Sequence, residues 1–275
     1  MTEYTATIGD VKFGGGRPAL IAGPCMAESL ELCLEVATVL RDICKPMGIG
    51  FVFKASFDKA NRSSADGYRG PGLSTGLEWL ARVRAEVGVP VLTDVHEVEQ
   101  VGPTAAVADC LQIPAFLCRQ TDLLVAAGAA GKCVNIKKGQ FMAPWDMKQA
   151  AQKVRSTGNA NVMLTERGTF FGYNRLVTDL RSIPEMQPFA PVIFDATHSV
   201  QEPGGLGGNA SGGQRRYAPM LATAAITAGV DGLFIETHPN PDQAKSDAAC
   251  QLPLSQMGAV LTRCMAVHKA MVQTT

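Results

Sequence analysis

Val89–Asp94 reads VPVLTD: apolar side chains on consecutive positions, with a carboxylate at the end. A strand with one wet face alternates apolar and polar residues, whereas a strand buried on both faces is apolar without a gap. The same short signature occurs along the whole chain. It appears at Ala19–Ala22, Gly50–Lys54 (GFVFK), Cys110–Ile113 (CLQI), Cys133–Lys137 (CVNIK), Asn161–Glu166 (NVMLTE), Pro191–Asp195 (PVIFD) and Asp231–Glu236 (DGLFIE). With Val89–Asp94 that makes eight strands.

The intervals between them are too long for hairpins and suit crossover units. Helical periodicity fills several: Ser29–Cys44, with Ser29 as a cap, then Thr75–Val87, Trp145–Val154, Tyr217–Ala228 and Leu254–Val272. Eight β-α units without a linker of biased composition predict an α/β fold, a single (β/α)8 barrel over residues 18–275. A doubly wound open sheet is the alternative, weakened because neither G-x-G-x-x-G nor G-x-x-x-x-G-K-[ST] follows a strand. Residues 1–17 precede the first strand, and TATIGDVKFGG predicts a hairpin around Gly9-Asp10 that covers the barrel bottom. The Gly-rich stretch Gly204–Gly213 reads as a surface loop or as a lid after strand seven.

The 275 residues carry 25 Lys+Arg against 25 Asp+Glu, so no net charge draws the chain to nucleic acid or to a membrane surface. Aromatics are only 6%, which argues against base stacking on single strands. No apolar run nears the ~20 residues of a membrane span, and no signal peptide is visible at the start. The eight cysteines form no C-x-x-C pair, which suggests free thiols in a reducing compartment, by default the cytoplasm.

Most strands run into a residue that is costly to bury. Strand one leads to Cys25, two to Lys54, three to Asp94, four to Gln112 and five to Lys137. Strand six leads to Glu166-Arg167, seven to Asp195 and then His198, eight to Glu236 and then His238. In a barrel these ends converge on the face that carries the chemistry. Closure makes strands seven, eight and one consecutive, so Cys25, His198 and Glu236 fall side by side, with Asp247 in reach from the following loop. Thiolate, imidazole and carboxylate make a transition-metal ligand set that suits Mn, Fe, Zn or Co. Singly, Cys25 reads as a small core residue, His198 and Glu236 as a hydrogen-bonded pair, and Asp247 as a helix cap. His238 is an alternative ligand, and His96 reads as a structural hydrogen-bonder. Lys54, Lys59, Arg62, Lys137 and Arg167 form a cationic sector, suited to substrates with several negative charges.

Nine segments carry a family resemblance: AGPC (Ala22–Cys25), FKASFDKANRSS (Phe53–Ser64), GYRGPG (Gly67–Gly72), TDVHE (Thr93–Glu97), LQIPAFLCRQTDLL (Leu111–Leu124), NIKKGQF (Asn135–Phe141), ERGTFFGYN (Glu166–Asn174), FDATHSVQ (Phe194–Gln201) and IETHPNP (Ile235–Pro241). In this order they resemble the 3-deoxy-D-manno-octulosonate 8-phosphate synthases. KANRSS separates that family from the 3-deoxy-D-arabino-heptulosonate 7-phosphate synthases. The resemblance implies condensation of phosphoenolpyruvate with D-arabinose 5-phosphate and water, a place in lipopolysaccharide biosynthesis, and a cytoplasmic homotetramer. It implies that Lys137 and Arg167 hold the phosphoenolpyruvate phosphate, that Lys59 and Lys54 flank its carboxylate, and that Gln112 and Ala115 frame it. Asn61, Arg62 and Ser63 take arabinose 5-phosphate, Asp94 meets a sugar hydroxyl, and Phe116 reaches a neighbouring subunit. His198, Glu236 or Asp247 relays a proton. An Asn stands at the position of Cys25 in the metal-independent branch. Cys25 and the SDA-x-x-QLPL context at Ser246–Leu254 therefore resemble the metal-dependent branch, with Cys25, His198, Glu236 and Asp247 as ligands.

Overall fold

Eight parallel strands close on themselves in the computed structural model, which describes residues 3–60, 67–204 and 212–273. They are Ala19–Gly23, Phe51–Lys54, Val91–Asp94, Cys110–Ile113, Cys133–Lys137, Val162–Glu166, Val192–Asp195 and Gly232–His238. Each pairs with the next, and the eighth returns to the first with Gly232 opposite Ala19 and Glu236 opposite Gly23. Helices lie between the strands, so the architecture is the expected (β/α)8 barrel.

Two-residue alternation sorts every strand into an inner and an outer row. Leu20, Phe53, Val91, Leu111, Val134, Leu164, Phe194 and Ile235 face out and pack against the helices. Ile21, Val52, Leu92, Cys110, Cys133, Met163, Ile193 and Phe234 form a separate inner cluster. Strands Ala6–Ile8 and Val11–Phe13 pair antiparallel, with Ile8 opposite Val11, and Gly9 supplies the turn at φ +58°. Ile8 and Phe13 are wholly buried in the inner cluster, so the hairpin plugs the bottom of the barrel as expected. In seven of the eight strands the same row turns polar two residues beyond the inner apolar side chain; in the first, Ile21 leads to Gly23. Val52 leads to Lys54, Leu92 to Asp94, Cys110 to Gln112, Ile193 to Asp195 and Phe234 to Glu236. Strand parity thus delivers the polar groups to the C-terminal mouth.

The helices depart from expectation at their ends. Leu30–Met47 is capped by Ser29, whose side chain accepts from Leu32 N at 3.1 Å, and stops at Gly48 with φ +62°. The expected helix from Leu254 starts at Met257, behind a 3-10 turn, because Leu252–Pro253 first pairs with the end of strand eight. Trp145 and Tyr217 likewise sit in 3-10 turns just ahead of helices Met147–Arg155 and Ala218–Thr227. Among the described residues no helix is long and apolar enough to cross a membrane. The proposed lid reading of Gly204–Gly213 falls mostly on residues 205–211, outside the described residues.

Candidate active site

The barrel mouth opens into a cavity of about 610 Å³. Lys54, Lys59, Asp94, Gln112, Ala115, Phe116, Lys137, Arg167, His198, Glu236 and Asp247 all line it. The expected site residues therefore converge, apart from Cys25, which lies buried just behind the wall, and Asn61, Arg62 and Ser63, which fall outside the described residues. Phe116 is half exposed and borders the cavity of its own chain.

Cys25, Glu236 and Asp247 place one ligand atom each within 4.8 Å of the others. His198 adds Nε2 at 3.5 Å from both Glu236 Oε2 and Asp247 Oδ2. Cys25 Sγ lies 3.3 Å from Asp247 Oδ2 and 3.1 Å from Ser246 Oγ. Asp247 takes φ +46°, a left-handed backbone that its own loop must hold; its carbonyl accepts from Cys250 N and Gln251 N, while Gln251 Oε1 accepts from Cys25 N. Burial pushes the Cys25 thiol up, and the nearby Glu236 charge pushes it further. Burial opposes the charge of Glu236 and of Asp247, yet His198 with Lys54 and Lys59 outweighs it at Glu236, and His198 with Lys59 and the Cys25 hydrogen bond outweighs it at Asp247, so both carboxyls stay below their ordinary values. Glu236 Oε2 is buried without a hydrogen-bond partner among the described residues. A soft sulfur, an imidazole nitrogen and two carboxylates around such an orphaned oxygen fit a divalent transition metal. His238 does not join them: its Nδ1 accepts from Asn240 N, and Nε2 faces Glu28 at 3.9 Å.

The cations do not form a separate sector, as the sequence reading had it, but interlock with the carboxylates. Lys54 Nζ lies 2.6 Å from Glu236 Oε1 and donates to Cys25 O at 2.9 Å. Lys137 Nζ lies 2.6 Å from Asp195 Oδ2 and 4.0 Å from the centre of the Phe234 ring. The physical reason is burial: an ammonium group that is 1–6% exposed needs a counter-charge at contact distance. Burial nonetheless pushes Lys137 below its ordinary value. Lys59 is the opposite case. Burial opposes its charge, but Cys25, Asp94, Glu236 and Asp247 outweigh burial and raise it. Arg167 donates to Gln201 Oε1 at 2.7 Å and keeps Nη1 buried without a partner among the described residues. Gln201 Nε2 donates in turn to Asp247 Oδ1 at 3.2 Å, so one amide links the arginine to a candidate ligand.

On the far wall, Asp94 takes the Ser56 hydroxyl and lies 3.0 Å from His96 Nε2, while Lys59 donates to Ser56 Oγ at 2.8 Å. His96 is thus the structural hydrogen-bonder expected. Burial opposes the Asp94 charge, but His96 and Lys59 hold its carboxyl well below the usual range. Below the mouth Thr165 donates to Asn135 at 2.7 Å, and Asn135 donates to Gln112 at 3.1 Å. Sequence reasoning missed this polar layer, together with Ser56, Gln201 and Ser246. Inner-row parity would have found Asn135 and Thr165. Glu166 faces outward, 3.6 Å from Lys138, and accepts from the backbone of Arg167 and Gly168; it is not part of the ring of strand-end charges.

A (β/α)8 barrel with buried cations and a Cys/His/Glu/Asp cluster that could hold a metal ion at its mouth defines the class, and the chain belongs to the DAHP synthetase I family, whose model matches residues 2–273. Within it, the chain is similar to proteins named 2-dehydro-3-deoxyphosphooctonate aldolase. The one from Nitratidesulfovibrio vulgaris strain DP4 is 58% identical over 89% of this chain and 90% of its own length. The Syntrophotalea carbinolica protein is 57% identical over 96% of this chain and 95% of its own length. That of Cyanothece sp. strain PCC 7425 is 54% identical over 95% of this chain and 96% of its own length.

Proposed function

We propose that the chain is a metal-dependent 3-deoxy-D-manno-octulosonate 8-phosphate synthase, with the cavity residues in the roles given below. It condenses phosphoenolpyruvate with D-arabinose 5-phosphate and water, yielding the eight-carbon sugar acid phosphate and inorganic phosphate, as the shared name of its relatives implies. The observation that carries the site assignment is the pair of opposite buried orphans in one pocket region: the Arg167 Nη1 donor and the Glu236 Oε2 acceptor. One calls for an anion, the other for a cation.

Lys137 and Arg167 grip the phosphoenolpyruvate phosphate. Lys59 and Lys54 lie along its carboxylate, with Gln112 and Ala115 framing the plane. Asn61, Arg62 and Ser63 take the sugar phosphate, and Asp94, fixed by Ser56 and His96, accepts from a sugar hydroxyl. Holding two anionic substrates together against repulsion accounts for up to about 7–11 kcal/mol of barrier reduction. Carbon 3 of phosphoenolpyruvate then attacks the open-chain aldehyde, and water adds at carbon 2. The resulting hemiketal expels phosphate by C–O cleavage. Asp247, whose second oxygen accepts from Gln201, holds and passes the proton of that water. Cys25, His198, Glu236 and Asp247 would hold a Mn, Fe, Zn or Co ion. When bound, the ion supplies fixed positive charge against the charge that develops on the aldehyde oxygen.

The enzyme works as a cytoplasmic homotetramer. The exposed aromatics Phe141, Trp145, Phe171 and Tyr173, clustered on the loops after strands five and six, support association. The test is phosphate release from phosphoenolpyruvate plus arabinose 5-phosphate by chelator-stripped protein, with and without Mn²⁺. Release only with the metal is expected. Equal release without it removes the metal from the account, and no release in either removes the synthase.

A further inference from the structure

We infer that Asp195 is a positioning residue: it decides which ring nitrogen of His198 faces the metal-ligating carboxylates. The inference rests on the metal reading above. Asp195 is wholly buried at the end of strand seven, and its two oxygens have separate tasks. Oδ1 accepts from His198 N at 2.8 Å and from Thr197 N and Thr197 Oγ1, both at 3.1 Å. These bonds fold the tight turn that brings His198 back over the barrel mouth. Oδ2 faces Lys137 Nζ at 2.6 Å and His198 Nδ1 at 2.7 Å.

The second contact identifies the tautomer. Two lone pairs do not approach to 2.7 Å, so Nδ1 carries hydrogen and donates to Oδ2. Lys137 lies farther from the same nitrogen, at 3.3 Å, and gives its proton to Oδ2. The neutral ring therefore turns the lone pair of Nε2 toward Glu236 Oε2 and Asp247 Oδ2. A metal needs that lone pair, and a carboxylate behind the ring is the usual way to secure it.

The isosteric change Asp195→Asn separates this role from folding. The three donors at Oδ1 keep the amide oxygen on their side. The NH₂ group then replaces Oδ2 and points donors at Lys137 and at Nδ1. His198 responds by accepting at Nδ1 and moving its hydrogen to Nε2, against the two carboxylates. This is the wrong tautomer for ligation.

Two measurements on chelator-stripped protein decide it. Histidine side-chain ¹⁵N spectra, recorded at a pH alkaline enough for a neutral ring, should show His198 protonated at Nδ1 in the wild type and at Nε2 in Asp195→Asn. Co²⁺ titration against a chromophoric chelator should show affinity weakened about 10–100-fold in the variant. An Nε2–H tautomer in the wild type overturns the inference, whether or not the variant folds. So does a folded variant whose tautomer and Co²⁺ affinity are unchanged. A wild type that binds no Co²⁺ overturns the metal reading instead, and the tautomer of the two proteins then decides the role of Asp195 alone.

Discussion

Replacing Lys54 with Met removes the charge of a side chain 1% exposed and keeps most of its volume. Its ammonium sits 2.6 Å from Glu236 Oε1, where two unit charges attract by about 6 kcal/mol at an effective dielectric of about 20. The buried Lys also costs desolvation, which the Met avoids, so the net loss is smaller than the gross attraction. Glu236 is left with His198 at 3.5 Å, and the Cys25 carbonyl loses its Lys54 donor and keeps Ser56 N at 3.4 Å. Breaking one side of such a buried pair costs about 3–5 kcal/mol. For a chain of this size that lowers the midpoint of thermal unfolding by roughly 6–20 °C. Thermal unfolding of stripped Lys54→Met against wild type measures it. The Lys54→Met, Glu236→Gln double variant should recover at least about 1 kcal/mol relative to the sum of the singles. Added Mn²⁺ should also narrow the deficit, because a cation at Glu236 replaces the lost charge. A deficit below about 1 kcal/mol with an intact far-ultraviolet spectrum, or strict additivity in the cycle, refutes the ion-pair reasoning.

Other residues give sharper local tests. Cys25→Ala should abolish stoichiometric metal binding and most phosphate release; full release by a metal-free variant contradicts the ligand assignment. The Asp94–His96 pair gives a pH signature. Burial lowers the His96 value but Asp94 raises it more, so the folded value lies above the unfolded one. Its contribution is complete below about pH 6.5 and is lost as pH rises through the folded value. The Asp94 carboxyl is depressed, so its share is present above about pH 3.9 and is lost as pH falls through the folded value. The pair therefore stabilises most between about pH 4 and 6.5. The difference in unfolding temperature between stripped wild type and His96→Gln should shrink from about pH 6 to about pH 9; a constant difference contradicts the pairing. Phe13→Ala empties the plug at the barrel bottom and should cost about 3–5 kcal/mol in urea unfolding with phosphoenolpyruvate binding unchanged, whereas a loss below about 1 kcal/mol would mean the hairpin is only loosely docked.

The barrel was legible because strands buried on both faces declare themselves by consecutive apolar residues, and Cys110–Ile113 and Cys133–Lys137 match to the residue. Strand eight runs two residues past the expected end, through His238, because the loop strand Leu252–Pro253 lengthens its pairing. Side-chain direction was harder. Lys137 and Lys138 look alike in sequence, as do Glu166 and Arg167, yet only Lys137 and Arg167 share the inner row. The partners of the lysines were not legible, since pairing across the mouth joins residues 182 apart in the case of Lys54 and Glu236. Asp195 read as one more strand-end charge. Its weight comes from the Thr197–His198 turn that folds back onto it, which only coordinates reveal.

The central claim is the reaction and its sugar. Phosphate release from phosphoenolpyruvate should be driven by arabinose 5-phosphate, and erythrose 4-phosphate in competition should neither replace it nor slow it appreciably. Turnover that prefers erythrose 4-phosphate would contradict the account, and would place this barrel with the heptulosonate 7-phosphate synthases.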